Sequence, residues 1–366
     1  MTDQIKNQID RHLILFLEKR KKTYPFRSVH PILFKSIKDF CSRKGKRIRP
    51  LLMALSYKGY TKRKKISNTK LYTSCGCLEL LHNFMLIHDD IIDNSDLRRG
   101  KPTLHKILAK TVKTKQHEKL GTDLAIVAGD IVYALSIDAF LAIDEDPNRK
   151  EKALRYLIQT AGFTAMGEFI DIIHGFEDIR KIKEKDVFLN YALKTARYTF
   201  ECPLTIGAIL ANAPQKDIKK LSRLGALMGQ AFQIQDDIIG IFSKEKKIGK
   251  SILSDLDEDK KTILVCHAYK ILTKSKKQAF VKILKKSKKT HTDLINVQKI
   301  FIKSGSLAYS LIKIQKILKE SQNILNGLSL KPAFKKQIWS ALSILFKQSK
   351  QIADSYHIFF KNYNEA

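Results

Sequence analysis

The chain has 366 residues, 44% of them hydrophobic, which is enough for a sizeable core and argues against global disorder. Its 68 Lys and Arg against 36 Asp and Glu leave a net charge of +32, which invites nucleic acid, anionic membrane or phosphorylated substrates. The basic runs at 62–65 and 274–289 carry no interleaved aromatic apart from Phe280, so they do not form a stacking platform for bases, and most of the charge reads as a solvated lysine surface.

Apolar spacing predicts helices over 3–20, about 31–43, 50–60 and 67–93, with Pro25 and Pro31 marking the first break and Pro50 opening the third. Residues 104–119 read as a polar, Lys-rich connection that could serve as a lid over an anionic site. A buried helix is expected over 124–143, stopped by the acidic stretch at 144–147. Further helices follow at 150–176, 185–202 and 218–242, and several more with Lys-rich outer faces fill 262–360. Gly and Pro are scarce, at 16 and 8, and no hairpin signature is seen. The expectation is an all-α chain, a single domain over 1–366 with ten or more helices.

Five cysteines, Cys41, Cys75, Cys77, Cys202 and Cys266, give an odd number. The C-x-C at 75–77 has no second pair to complete a zinc site, so buried free thiols in a reducing compartment are expected. The apolar run near the N-terminus is too short for a signal peptide. The segment 125–143 is the greasiest but carries Asp130 and Asp138, so no membrane-spanning helix is expected.

The chemistry concentrates in two stretches. Asp89 and Asp93 are four apart, so a helix sets both carboxylates on one face, with His82 along the same stripe and Asp90 turned about 100° away. Leu81, Phe84, Met85, Ile87, Ile91 and Ile92 make that helix largely buried, so its acids need a compensating charge. None stands at i−4 or i+4, but the cationic turn Arg98-Arg99-Gly100-Lys101 follows and suits anions. In the second stretch Gln233, Asp236, Asp237 and Gly240 fall at i, i+3, i+4 and i+7. Hard carboxylate oxygens select Mg²⁺, which is held by a few carboxylates together with substrate phosphates. Each pair alone reads as a solvated helix face; two with matched apolar flanks favour a site. Singly, Lys46, Arg47 and Arg49 read as a solvated turn, His82 as a core histidine, Lys194 as a snorkelling side chain and Arg98-Arg99 as a helix cap. Glu168 and Asp171 are either a third polar patch or partners of a Lys or Arg.

Four motifs in order, GKRIRP at 45–50, HNFMLIHDDIIDNSDLRRGKPT at 82–103, FQIQDDIIG at 232–240 and GKSILSDLDEDKKT at 249–262, resemble those of the trans-isoprenyl diphosphate synthases, the polyprenyl synthetase family, most of all the archaeal geranylgeranyl type. LAIVAGD at 124–130, GEFIDI at 167–172 and LKTA at 193–196 agree, whereas the lysine-rich part from about 263 is less well matched. The resemblance implies an isoprenoid synthase fold, a helical bundle around a central cavity. It implies condensation of isopentenyl diphosphate with an allylic diphosphate, assisted by three Mg²⁺ ions bound with diphosphate. Asp89, Asp90, Asp93, Asp236 and Asp237 would serve the metal. Arg98, Lys194, Lys250 and Lys260 would clamp the allylic diphosphate, with Thr195 and Gln233 beside the reacting carbons. Lys46, Arg49, His82 and Arg99 would hold isopentenyl diphosphate, with Phe232 against its hydrocarbon. A homodimer in the cytoplasm is implied, with no nucleic acid partner; peripheral membrane contact stays open.

Gly240 stands where many of these synthases have a third Asp. Phe84, five before Asp89, and Met85, four before, resemble the chain-length floor of the geranylgeranyl type, with farnesyl or longer products as the alternative. A terpene cyclase is disfavoured because Gly240 and Lys244 stand where its second metal motif needs Ser or Thr and then Glu. A non-catalytic regulatory subunit and a basic membrane- or nucleic-acid-binding protein are the rivals of another class. The first usually lacks one acidic motif, and this chain keeps both.

Overall fold

The computed structural model describes residues 2–242, 256 and 260–356. Apart from one two-stranded hairpin, the regular structure of the described residues is helical, in agreement with an all-α chain. The chain forms two compact units, residues 1–157 with 203–214, and residues 158–202 with 215–366.

In the first unit, α1 (Thr2–Thr23), α2 (Phe26–Val29), α3 (Pro31–Ser42) and α4 (Ile48–Tyr60) precede the long α5 (Asn68–Ile92). Strands β1 (Leu97–Arg98) and β2 (Lys101–Pro102), α6 (Leu104–Leu108) and α7 (His117–Phe140) follow. Ser67 opens α5 by accepting from the Lys70 amide, and Pro31 occupies the first turn of α3. The core forms where α5 packs against α7, α1 and α4, burying Leu13, Leu17, Leu55, Leu78, Val132 and Phe140. Ser74 Oγ donates to the Phe140 carbonyl at 3.0 Å, and Arg20 pairs with Asp138.

In the second unit, the later part of α8 (Pro147–Phe176) is followed by α9 (Glu184–Asn190), a π-helix (Tyr191–Glu201) and α11 (Gln215–Phe242). Between them, α10 (Cys202–Leu210) carries the chain back to the first unit from Pro203. The remaining helices are α12 (Ile263–Ile271), α13 (Lys274–Leu284), α14 (His291–Lys303), α15 (Ser306–Asn326), α16 (Pro332–Ser343) and α17 (Lys347–Ser355). α11 lies against the π-helix at van der Waals limit: a Cβ on Gly225 would meet Glu201 Cα at 2.3 Å, and one on Gly229 would meet Ala196 Cα at 2.2 Å. Only glycine lets the two backbones approach this closely.

Four sequence expectations need correction. Residues 104–119 are not a loose connection: 104–108 form α6, whose Leu104, His105 and Leu108 are buried, and a Cβ on Gly121 of α7 would meet the His105 carbonyl at 2.3 Å. Lysines on the outer positions mask that short apolar pattern. Residues 97–102 form a hairpin whose turn places Arg99 at φ 57° and Gly100 at φ 73°. An arginine in the left-handed region carries no turn signature. The helix expected over 185–202 does not stop at Pro203 but runs to Leu210, taking π hydrogen bonding over 191–201. Finally, α7 is by length and composition apolar enough to cross a membrane. Its buried Ala125, Ala128, Val132, Leu135 and Ala139 nonetheless form one side of a core packing, and Asp138 is satisfied by Arg20.

Candidate active site

The first unit holds an acidic helix end facing a guanidinium. Asp89, Asp90 and Asp93 close the last turn of α5, with the Asp93 amide donating to the Asp89 carbonyl at 2.8 Å. The hairpin then turns Arg98 back onto that end: its Nε donates to Asp90 Oδ1 at 2.6 Å and an Nη to Asp89 Oδ2 at 3.2 Å. Desolvation works against the Arg98 charge, but the bond to Asp90 and the charges of Asp90, Asp89 and Asp93 outweigh it and raise its pKa. The compensating charge that the buried acids require therefore comes from the turn, nine residues on from Asp89, rather than from the helix itself.

Beside it, the turn between α3 and α4 gathers cations. Arg47, at φ 49°, is buried; it donates to Glu79 Oε1 at 2.5 Å, to Asp10 at 2.5 Å and to the Arg43 carbonyl at 2.8 Å. Arg99 donates to the same Glu79 oxygen at 3.3 Å and to the Arg43 carbonyl at 3.0 Å. A Cβ on Gly45 would meet the Arg99 guanidinium at 3.2 Å, so the 45–50 turn and the 98–100 turn touch. Burial first, then the charges of Arg49, Arg99, Arg98 and Arg47, hold the His82 imidazole well below its usual pKa, and the ring is neutral at pH 7. The charges of Arg49 and Arg99 thus act on His82, and Lys46 is exposed on the turn that precedes Arg49. A cluster of guanidiniums that outnumbers its carboxylates is of the kind that suits an anion.

The second unit holds a lysine between two acids. Lys194, on the π-helix, stands 2.6 Å from Asp171 and 2.8 Å from Glu168 of α8. Both readings of that acidic pair meet here: the acids are partners of a lysine, and the lysine is itself a candidate. Burial pushes the Asp171 carboxyl up, but Lys194, Lys260 and the Asn190 amide outweigh it and hold it below the usual carboxylate range. Thr195, the next residue, donates to Gln233 Oε1 at 2.6 Å, and Gln233 Nε2 donates to Asp237 Oδ1 at 3.1 Å. Asp237 also accepts from the Tyr191 hydroxyl, which in turn accepts from the Ile263 amide at 3.0 Å. These groups line a cavity of about 60 Å³ with Lys260, Lys261 and Thr262.

Asp236 is exposed on α11, next to the buried Asp237, and Phe232 lies edge-on to Phe200 at 5.4 Å. Phe84 of α5 packs against His88 at 4.7 Å and Tyr133 of α7 at 5.0 Å, with Met85 half-buried beside it. Lys250 lies outside the described residues. Sequence reasoning missed Glu79, Arg43 and Tyr191. The signal for Glu79 was present, a lone acid within the apolar run CGCLELL, which must be paired if the helix is buried. Among the described residues no three His, Cys, Asp or Glu side chains converge to hold a cation by themselves. The carboxylates present are hard oxygen donors of the kind Mg²⁺ takes when substrate phosphates complete its shell.

An all-α chain of this kind has the isoprenoid synthase fold. A solved geranylgeranyl pyrophosphate synthase from Corynebacterium glutamicum, complexed with isoprenyl diphosphate and magnesium, superposes with a TM-score of 0.84 at 22% identity, covering 95% of this chain and 99% of that one. Residues 30–301 match the polyprenyl synthetase family model, and the chain belongs to that family of prenyltransferases. It is 33% identical over 317 residues to the geranylgeranyl diphosphate synthase of Saccharolobus solfataricus, covering 85% of this chain and 86% of that protein. It is 32% identical over 275 residues to the short chain isoprenyl diphosphate synthase of Methanocaldococcus jannaschii, covering 75% of this chain and 77% of that one.

Proposed function

We propose that this chain is a Mg²⁺-dependent trans-prenyl diphosphate synthase that joins isopentenyl diphosphate to an allylic diphosphate, with geranylgeranyl diphosphate as its main product. The observation that carries it is the pairing of one guanidinium, Arg98, with the acidic end of α5. A carboxylate row beside one guanidinium offers hard oxygen donors and a positive charge of the kind a Mg²⁺–diphosphate complex takes.

In this reading the allylic C–O bond breaks with its electron pair leaving on pyrophosphate, the isopentenyl alkene attacks the carbocation, and a proton departs to the released pyrophosphate. Asp89, Asp93 and Asp236 hold Mg²⁺, with Asp90 and Asp237 orienting them. Bound there, Mg²⁺ supplies positive charge where the leaving group becomes more negative. Arg98, Lys194 and Lys260 take the diphosphate oxygens, and Lys250 is assigned with them from the sequence. Lys194 must trade Glu168 and Asp171 for substrate. The Thr195 hydroxyl and Gln233 amide steady the carbocation. Lys46, Arg49, Arg99 and the neutral His82 hold isopentenyl diphosphate, and Phe232 covers its hydrocarbon. The two units act as one catalytic domain in this proposal.

Phe84 sets the product length. Its contacts with His88 and Tyr133 support it as a fixed floor rather than a mobile ring. A homodimer belongs to the same reading, supported by the apolar stripe Met166, Phe169, Ile173 and Phe176, all exposed on α8, Phe176 to 91%. So do a cytoplasmic location and contact with an anionic membrane, which the basic excess favours. Incubation with Mg²⁺, labelled isopentenyl diphosphate and each allylic primer, followed by dephosphorylation and chromatography, tests the activity. A labelled alcohol of about twenty carbons is expected; no labelled prenyl alcohol from any primer would overturn the proposal.

A further inference from the structure

A second binding surface lies in the second unit, on residues that no step above uses. An open groove of about 510 Å³ runs between α12, α13 and α14. Half-buried Leu272, Ile283 and Ile300 line it, with Ile271 at its edge 55% exposed. Lys276, Lys299 and Lys303 also line it and are exposed. Among the described residues no carboxylate lines it. The groove is therefore apolar within and cationic around.

The surrounding sequence has an unusual composition. From Ile263 to Tyr356 the chain carries 19 lysines and no arginine, against three acidic residues. The nearby acids are already engaged: Lys286 pairs with Asp293 at 2.6 Å, and Lys285 with Asp178 at 3.2 Å. α13 is held firmly, since Phe280 and Leu284 are buried and Phe280 meets Phe301 edge-on at 6.0 Å. Its outer face is thus a stable platform for Lys274, Lys276 and Lys282.

These features separate two kinds of anionic partner. A single phosphate is gripped by convergent, half-buried forks, as Arg98 and Arg99 are placed in the first unit. Here the cations are exposed ammonium groups on flexible stems, spread over two helices, and among the described residues that line the groove no polar side chain is buried. Dispersed point charges suit a plane of many phosphates, and clusters of this size on an amphipathic helix attract anionic lipid. We propose that the α12–α14 face docks on the surface of an anionic phospholipid bilayer. The lysines lie against lipid phosphates, and the groove takes lipid hydrocarbon. This deepens the membrane contact proposed above and does not need the catalytic reading.

Co-sedimentation of the full chain with vesicles of equal parts phosphatidylglycerol and phosphatidylcholine, against phosphatidylcholine alone, tests it without any turnover. Its failure would leave the prenyltransferase proposal standing. The chain should pellet with the anionic vesicles only, and release as salt rises past about 0.1 M. The triple variant Lys276→Gln, Lys299→Gln, Lys303→Gln should weaken partitioning on the order of 100-fold at low salt. The control Lys62→Gln, Lys64→Gln, Lys65→Gln removes the same charge from the other unit and should weaken it by less than about tenfold. Ile283→Asp, which sets a carboxylate in the groove, should also release the chain while its far-ultraviolet circular dichroism stays native. Equal losses in the two triple variants, no pelleting with anionic vesicles, or unchanged binding of a folded Ile283→Asp would overturn the proposal. So would displacement from vesicles by micromolar geranylgeranyl diphosphate but not by inorganic diphosphate, which would assign the groove to a free amphiphile.

Discussion

Glu79 shows how much one side chain supports the cationic cluster. It receives Arg47 and Arg99 on one carboxylate oxygen, and the side chains of Glu79 and Arg47 are 3% and 1% exposed. Glu79→Gln removes one of the two carboxylates that Arg47 pairs with and leaves Asp10, so it should cost about 1–3 kcal/mol in urea unfolding. Tyr191→Phe leaves Asp237 and the Ile263 amide each short of one bond, which should cost about 1–3 kcal/mol. The Mg²⁺ needed for half-maximal rate should rise in the same variant, because Asp237 loses its orienting partner. His82 carries a pH prediction. Its folded pKa is depressed by burial and arginines, so the unfolded chain binds more protons below about pH 6.5. That contribution to stability is present above the unfolded value and is lost as pH falls toward the folded one. The imidazole signals of His82 should stay those of the neutral ring from pH 8 to about 6; a midpoint near 6.5 would contradict this. At this scale the sequence made Asp89, Asp93 and the Arg98 turn legible, since spacing alone puts the acids on one face. It did not reveal the hairpin that carries Arg98, whose turn takes left-handed backbone at Arg99.

Between elements, closeness of approach matters more than composition. α11 meets the π-helix through Gly225 and Gly229, and that contact aligns Thr195 with Gln233. Gly229→Ala should therefore push the helices apart, lowering stability by about 1–3 kcal/mol and the rate with it. Gly162→Ala is the matched control: a Cβ there meets nothing within 4 Å, so the protein should be unchanged or up to about 1 kcal/mol more stable. Phe84→Ala opens the space beside Tyr133 and His88 and should lengthen the product, read by chromatography of the dephosphorylated alcohols. Helix periodicity located α5, α8 and α11 to within a few residues because their apolar faces are long. It could not reveal the π register of 191–201, which differs from an α-helix in hydrogen bonding and not in composition. The glycine contacts were equally hidden, since a glycine within a helical pattern reads the same whether it faces solvent, as Gly162 does, or a neighbouring backbone.

For the whole molecule, the claim central to the proposed function is that two acidic stretches, far apart in sequence, serve one departing pyrophosphate. The family and the all-α class were legible because four motifs occur in order and Gly and Pro are scarce; which lysines border an apolar groove was not, because charge counts do not say where such a groove lies. The most direct test is a double-mutant cycle on Asp89 and Asp236, read by steady-state pyrophosphate release with an allylic primer and isopentenyl diphosphate. Each of Asp89→Asn and Asp236→Asn should lower kcat by on the order of 100-fold or more, and the double variant should fall little further, because groups acting as one unit are not additive. Full multiplication of the two losses, or a near-normal rate in either single variant, would contradict the claim.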